Sequence, residues 1–261
     1  MKLQLVSANR GSTWVRQGLR TFMRQPLGLI GLFMMFALLL MGLHVLPTLG
    51  TALGLALVPG FTAGFVRAAR RVEEGKFPLP HELVYWARSR VTRQRMAALG
   101  GLYLLSIALL MLVSVFVDGG SLARFYVLGG TLDEETLRNP ALLNAALLTL
   151  VLYLPVSMAF WHAPMLVADE DIGPVKALFF SFVACKRNIG AFTVYGLSWS
   201  LFYMAISMLA SAVAVMVGGP EALQWLLMPM TLAMAALFFT SIHYSYRDCL
   251  VPPEGELHDA T

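Results

Sequence analysis

Apolar positions along the chain gather into six long runs, 27–46, 49–66, 97–117, 141–167, 189–217 and 222–242, separated by basic or proline- and glycine-bearing stretches. A helix needs about 20 apolar residues to cross a hydrocarbon core, so each run predicts a spanning helix. None alternates with the period of two that a barrel strand requires. The second run is short and rich in glycine. The fourth and fifth exceed the core thickness, so they are expected to tilt, to kink at Pro155 or Pro164, or to project beyond the bilayer.

The stretches between runs carry a second pattern. In "WVRQGLRTFMR", Trp14, Val15, Leu19, Phe22 and Met23 share one arc of a helical wheel, while Arg16, Arg20 and Arg24 stack on the other. This predicts an interfacial helix with its apolar face at the acyl boundary, ended by Pro26. A cleavable signal would be followed by polar mature sequence. Here a second apolar run follows Pro47 almost at once, so the stretch is expected to be retained. "HELVYWARSRVTRQR" (81–95) predicts a second amphipathic helix, although Arg90 and Gln94 interrupt its apolar face of Leu83, Val84, Trp86, Ala87 and Val91. In "GPVKALFFSFVACKRN", Phe179, Phe180, Phe182 and Val183 leave no polar face, and Ala177, Ser181, Ala184 and Cys185 form a small-residue stripe suited to close helix approach. That helix is expected to tuck against the spans, with Lys186 and Arg187 marking its return to the surface.

Two of these units align at one fixed offset: Pro59 with Pro155, Ala63 with Ala159, Glu73 with Asp169, Glu74 with Glu170 and Pro78 with Pro174. This is the signature of an internal repeat of interfacial helix plus transmembrane hairpin. The N-terminal unit shares only the plan. The predicted fold class is all-α: a polytopic membrane protein with six transmembrane helices and basic cytoplasmic amphipathic helices. One integral membrane domain is expected over 1–250, with a polar, disordered tail over 251–261.

Charge sets the orientation. Of 19 Lys and Arg, all but Arg124 and Arg138 fall on one side of the predicted spans, so the positive-inside rule puts both termini in the cytoplasm of a bacterial inner membrane. Composition agrees, with 58% hydrophobic and 13% charged residues against about a quarter charged in soluble domains. The net charge of +4 is not spread along an aromatic-studded groove, so nucleic acid is not an expected partner. The bases cluster beside apolar runs instead, which is the pattern of an anionic membrane surface. Arg16, Arg20, Arg24, Arg88, Arg93 and Arg95 are therefore the candidate lipid-contact collar, with membrane phospholipids as partners and a membrane or cytoplasmic protein as the other class of occupant.

Candidate chemistry changes this picture little. "GFTAG" (60–64) imitates a nucleophile elbow, but it lies in a glycine-rich span rather than a strand-turn-helix, so close helix packing is expected. "HEL" at His81 lacks the second histidine of a zincin. His162 and His243 fall near the cytoplasmic ends of their spans and His44 near the opposite face, where interface anchoring is expected. Asp169, Glu170 and Asp171 suit the N-terminus of the helix after Pro174, and Thr131 and Glu134 have capping-box spacing in the outer connection. Cys185 and Cys249 are expected to be reduced thiols. No catalytic residue, cofactor or metal is assigned, and the protein is not expected to be an enzyme. The leading expectation is a non-catalytic protein that meets anionic lipid or a membrane partner. The alternative is a transporter or lipid-handling protein with a cavity near the cytoplasmic side lined by Ser157, Trp161, His162, Ser181 and His243. Against transport stands the lack of a charged residue at midspan.

The basic "WVRQGLRTFMRQPLG", the "WHAPMLV" after the fourth span, "KALFFSFVACKRNIGAF" and the closing "SYRDCL" resemble an uncharacterised family of proteobacterial six-helix inner-membrane proteins. More loosely, the chain is similar to YciC-like membrane proteins and to the membrane domain of some glycerophosphodiester phosphodiesterases. The resemblance implies location and architecture and transfers no catalytic residue.

Overall fold

A computed structural model describes residues 3–46, 48–129, 131, 133–217 and 219–250; the expected tail over 251–261 lies outside them. The described residues contain no strand. Among the described residues eleven α-helices follow in chain order: α1 (Arg10–Phe22), α2 (Pro26–Leu43), α3 (Leu49–Glu73), α4 (Arg90–Asp118), α5 (Ser121–Leu128), α6 (Glu134–Arg138), α7 (Pro140–Trp161), α8 (Ala163–Asp169), α9 (Pro174–Arg187), α10 (Ile189–Val217) and α11 (Pro220–Leu250). A 3-10 segment, Pro80–Arg88, precedes α4. Six stretches are long and apolar enough to cross a membrane: α2, α3, α4, α7 with α8, α10 and most of α11. The protein is a six-span helical membrane protein. Its element order gives three times the same plan, a short helical segment and then two long helices.

Local chemistry sets the boundaries. Pro26 opens α2 at a position whose N–H would have no intrahelical partner. The 81–95 stretch is not one amphipathic helix. Val84 breaks helical geometry within the 3-10 segment (φ −120°), and the Ser89 hydroxyl then accepts from the Val91 and Thr92 amides. That N-cap assigns Arg90, Arg93 and Arg95 to the first turns of a spanning helix. In the connection between α4 and α7, Asp118 accepts from the amides of Gly120 and Leu122 to start α5. α6 is capped by Asp133, whose carboxylate accepts from the Thr136 amide at 2.8 Å, rather than by Thr131. A carboxylate is the stronger acceptor, and the contact with Thr136 holds the Asp133 carboxyl below its usual range.

The repeat has a backbone signature. α3 ends at Glu73 and α8 at the matched Asp169, and the residues two beyond, Gly75 and Asp171, both take left-handed backbone, with φ of 77° and 52°. At Gly75 the turn is a Schellman motif: Lys76 N–H donates to the Arg71 carbonyl and Gly75 N–H to that of Val72. The fourth span breaks at Pro164 rather than at Pro155, which stays inside α7.

By internal packing the chain divides into two compact units. The first holds the described residues of 1–36, 62–85 and 184–261. In it α1 packs on α10 and α11. Trp14 is fully buried, with its ring 5.3 Å from Phe192 and 5.9 Å from Tyr195. A Cβ on Gly18 would lie 2.6 Å from that of Ser241, so the two helices meet at backbone distance. Of the apolar arc of α1, Trp14 and Phe22 are therefore buried in protein and Val15 and Leu19 half-buried, which corrects the sequence expectation of a face laid on acyl chains, and Met23 alone of the arc stays exposed. A Phe33, Phe65 and Phe239 cluster fills the interior below. The second unit holds 37–61 and 86–183, in which α4 packs on α7, α8 and α5. Its interior includes Met96, Leu99, Leu110 and the buried run from Ala163 to Val167. The small-residue stripe of α9 is buried as expected, but Phe179 stands 62% exposed.

Candidate functional site

The arginines of the chain fall into two populations. Arg16, Arg20, Arg88 and Arg93 are exposed, and among the described residues their side chains have no hydrogen bond or ion pair. The other two collar residues have protein partners. Arg24 Nη1 donates to the Glu73 carbonyl at 3.0 Å, although its side chain stays exposed. Arg95 grips Asp171 through both its backbone carbonyl and its carboxylate. This clamp holds a non-glycine residue in left-handed geometry, a role different from the helix-N-terminal one expected of the acidic triplet.

Within the first unit, the C-terminal turns of α11 carry a polar network. Glu73, at the end of α3, accepts from Arg247 Nη1 at 2.7 Å on one carboxylate oxygen and meets His243 Nε2 at 2.8 Å on the other. For that bond His243 must carry its proton on Nε2. Asp248 accepts from the Trp14 indole N–H at 2.7 Å and from Arg10 Nε at 2.9 Å. The Tyr244 hydroxyl is hydrogen-bonded to Thr21, and the Arg247 guanidinium lies 4.9 Å over the Tyr244 ring. "SYRDCL" is thus the clamp that fastens α1 and the end of α3 to α11. Nearby, Glu82 is 2% exposed and is flanked by Arg71 at 3.2 Å and Arg67 at 3.4 Å. Two guanidiniums compensate the desolvation of one buried carboxylate.

The candidate cavity residues divide between the units. In the second, the break at Pro164 opens the helix ladder, and the Ser181 hydroxyl fills the opening. It accepts from the His162 amide at 2.9 Å and donates to the Met158 carbonyl at 2.8 Å, bridging the pair that would bond directly in an unbroken helix. Both His162 and Ser181 are fully buried, so His162 is not the water-facing interface anchor the sequence suggested. Ser157 donates to the Leu154 carbonyl of its own helix, and Trp161 is half-buried. His243 belongs to the first unit, with Glu73 as its partner. "GFTAG" packs backbone to backbone: a Cβ on Gly64 would sit 2.4 Å from Leu83 Cα. His44 is exposed and bonded to the Leu40 carbonyl of its own helix, as an interface residue would be. Cys185 and Cys249 are buried thiols.

Over 253 residues, 95% of this chain and 94% of the relative, the sequence is 40% identical to a probable inner membrane protein of Burkholderia thailandensis. The chain belongs to this family of inner-membrane proteins. No family model and no solved structure matches it, and the looser likeness to YciC-like proteins and to the phosphodiesterase membrane domain finds no support. Sequence reasoning did not find the pairing partners Glu73, Glu82, Arg247 and Asp248 of this membrane protein. A partial signal was available, since Glu73 stands in the repeat and "SYRDCL" places Arg247 and Asp248 side by side at the end of a span.

Proposed function

We propose that the protein is a non-catalytic inner-membrane protein that binds anionic phospholipid through arginines left without a protein partner, with this basic face and both termini in the cytoplasm. The observation that carries the reading is the division of the bases. Arg10, Arg67, Arg71, Arg95 and Arg247 are taken up by carboxylates, whereas Arg16, Arg20, Arg88 and Arg93 stay exposed and unpaired among the described residues. An unpaired guanidinium near a bilayer surface gains about 1 kcal/mol from anionic headgroups. In support of a non-catalytic role, Glu73, His243 and Ser181 are each engaged in holding helices together.

The test is native mass spectrometry of the purified protein and of R16Q/R20Q/R88Q/R93Q. The variant is expected to retain markedly less phosphatidylglycerol and cardiolipin; equal retention would reject the collar. Single-cysteine labelling from the cytoplasmic side at position 88 and from the outer side at position 134 checks the orientation. One observation favours the second reading, lipid handling or transport: the discontinuous span at His162, since transporters use broken helices around their sites. Substrate-dependent quenching of a probe near Trp161 would raise it above the first.

A further inference from the structure

We propose that the elbow between α1 and α2 is a discrete binding site for one anionic phospholipid, its phosphate between Arg20 and Arg24 and an acyl chain along Met23, Leu27 and Phe77. The proposal rests on the lipid-binding reading above and gives it a place and a headgroup class.

Three observations converge on the elbow, all within the first unit. Arg24 is a positioned cation. Its Nη1 is held by the Glu73 carbonyl, and a guanidinium has five donors, so those that remain are available to a phosphate. Arg20, four residues earlier on α1, is exposed and has no partner among the described residues. The apolar surface beside these cations is bare: Met23 is 64%, Leu27 84% and Phe77 55% exposed, although Leu27 begins a spanning helix. The loop after α3 is seated against that helix, since a Cβ on Gly28 would lie 2.9 Å from Pro78 Cγ and 3.3 Å from Phe77 Cζ. Cations and apolar side chains therefore follow one another at the point where the chain enters the bilayer, in the order phosphate and then acyl chain of a phospholipid.

Local charge selects the headgroup. The carboxylates at the end of α3, whose Glu73 carbonyl holds Arg24, are already engaged, Glu73 by Arg247 and His243, and Glu74 by Lys76 at 2.9 Å and Arg70 at 3.3 Å. A phosphatidylethanolamine ammonium would find no free carboxylate here, whereas the phosphodiester of phosphatidylglycerol or cardiolipin brings no cation to place. The elbow is accordingly selective for a net-negative phospholipid over a zwitterionic one.

Native mass spectrometry with titrated phosphatidylglycerol or phosphatidylethanolamine tests the site, applied to wild type, R20Q/R24Q, R88Q/R93Q and L27N. Wild type and R88Q/R93Q should keep one tightly held phosphatidylglycerol, while R20Q/R24Q should bind it at least about five-fold more weakly. L27N leaves both arginines in place and is also expected to weaken that lipid several-fold, which guards against a double variant that fails to fold. Equal retention of the two lipids by wild type, or unchanged phosphatidylglycerol affinity in both R20Q/R24Q and L27N, would overturn the elbow site. If those variants bind normally while R16Q/R20Q/R88Q/R93Q loses lipid, the elbow is wrong and the diffuse collar stands. If no variant loses lipid, the collar fails too.

Discussion

The two spans matched by the repeat, α3 and α7 with α8, solve one packing problem in opposite ways. α3 carries Pro59 and runs unbroken for 25 residues. The backbone at Leu83 packs directly on Gly64, where a side chain would collide with it. At the position matching Gly64 the second span carries Phe160, whose ring packs 5.0 Å from that of Tyr103. Two residues further on this span breaks, and the Ser181 hydroxyl fills the opened hydrogen bond. The two exits differ in the same spirit: glycine takes the left-handed turn after α3, while after α8 an aspartate takes it under the grip of Arg95. A repeated plan therefore does not impose a repeated mechanism. Glycine lets the first span meet its neighbour at backbone distance and stay whole, whereas the second breaks at Pro164 and a polar side chain from a neighbouring helix mends its ladder.

Substitutions can break this comparison. Gly64→Leu should have the largest effect, about 3 kcal/mol of lost stability in detergent, because the new side chain would overlap main chain that has no rotamer to yield. Phe160→Leu, at the matched position, should cost clearly less; equal losses in thermal unfolding would deny the difference between the spans. Ser181→Ala comes next. It strands the His162 amide and the Met158 carbonyl in a dry interior at a cost of about 1–3 kcal/mol, and Ser181→Thr should recover part of it. Wild-type melting of Ser181→Ala would show that the hydroxyl does not mend the break. The smallest effects belong to the exits. Gly75→Ala should lose about 1 kcal/mol to left-handed strain, while Asp171→Asn should change stability by less than about 1 kcal/mol, because its carboxylate is largely exposed and asparagine tolerates the same backbone. A loss at Asp171 larger than that at Gly75 would make the Arg95 contact more than a surface pair.

The arginines teach a related lesson about what a pattern along the chain can carry. Spacing alone marked Arg16, Arg20, Arg24, Arg88, Arg93 and Arg95 as one collar. Spacing describes the chain's own helix and is blind to acceptors brought from distant segments. The carbonyl that holds Arg24 comes from the end of α3, and the carboxylate that holds Arg95 from the turn before α9. The basic helix α1 shows the same limit. Its two faces were legible, but a wheel of apolar residues does not say whether lipid or protein will cover it. Gly11 and Gly18 decided for protein, because they let α1 approach α10 and α11 to backbone distance.

The sequence by itself determined the all-helical class, the six spans with boundaries close to those observed, and the repeat, because hydrocarbon thickness and unsatisfied backbone groups leave an apolar run of that length one conformation. It also located the proline at which the fourth span breaks, as one of two candidates, since a missing N–H is a local fact. Only the tertiary structure decided which polar side chains meet. Glu73 with His243 and Arg247, Asp248 with Trp14 and Arg10, and Ser181 with His162 all join residues far apart along the chain. A polar group that folding takes out of water loses free energy unless it finds a partner, but the identity of that partner is fixed by helix crossings that no local period records.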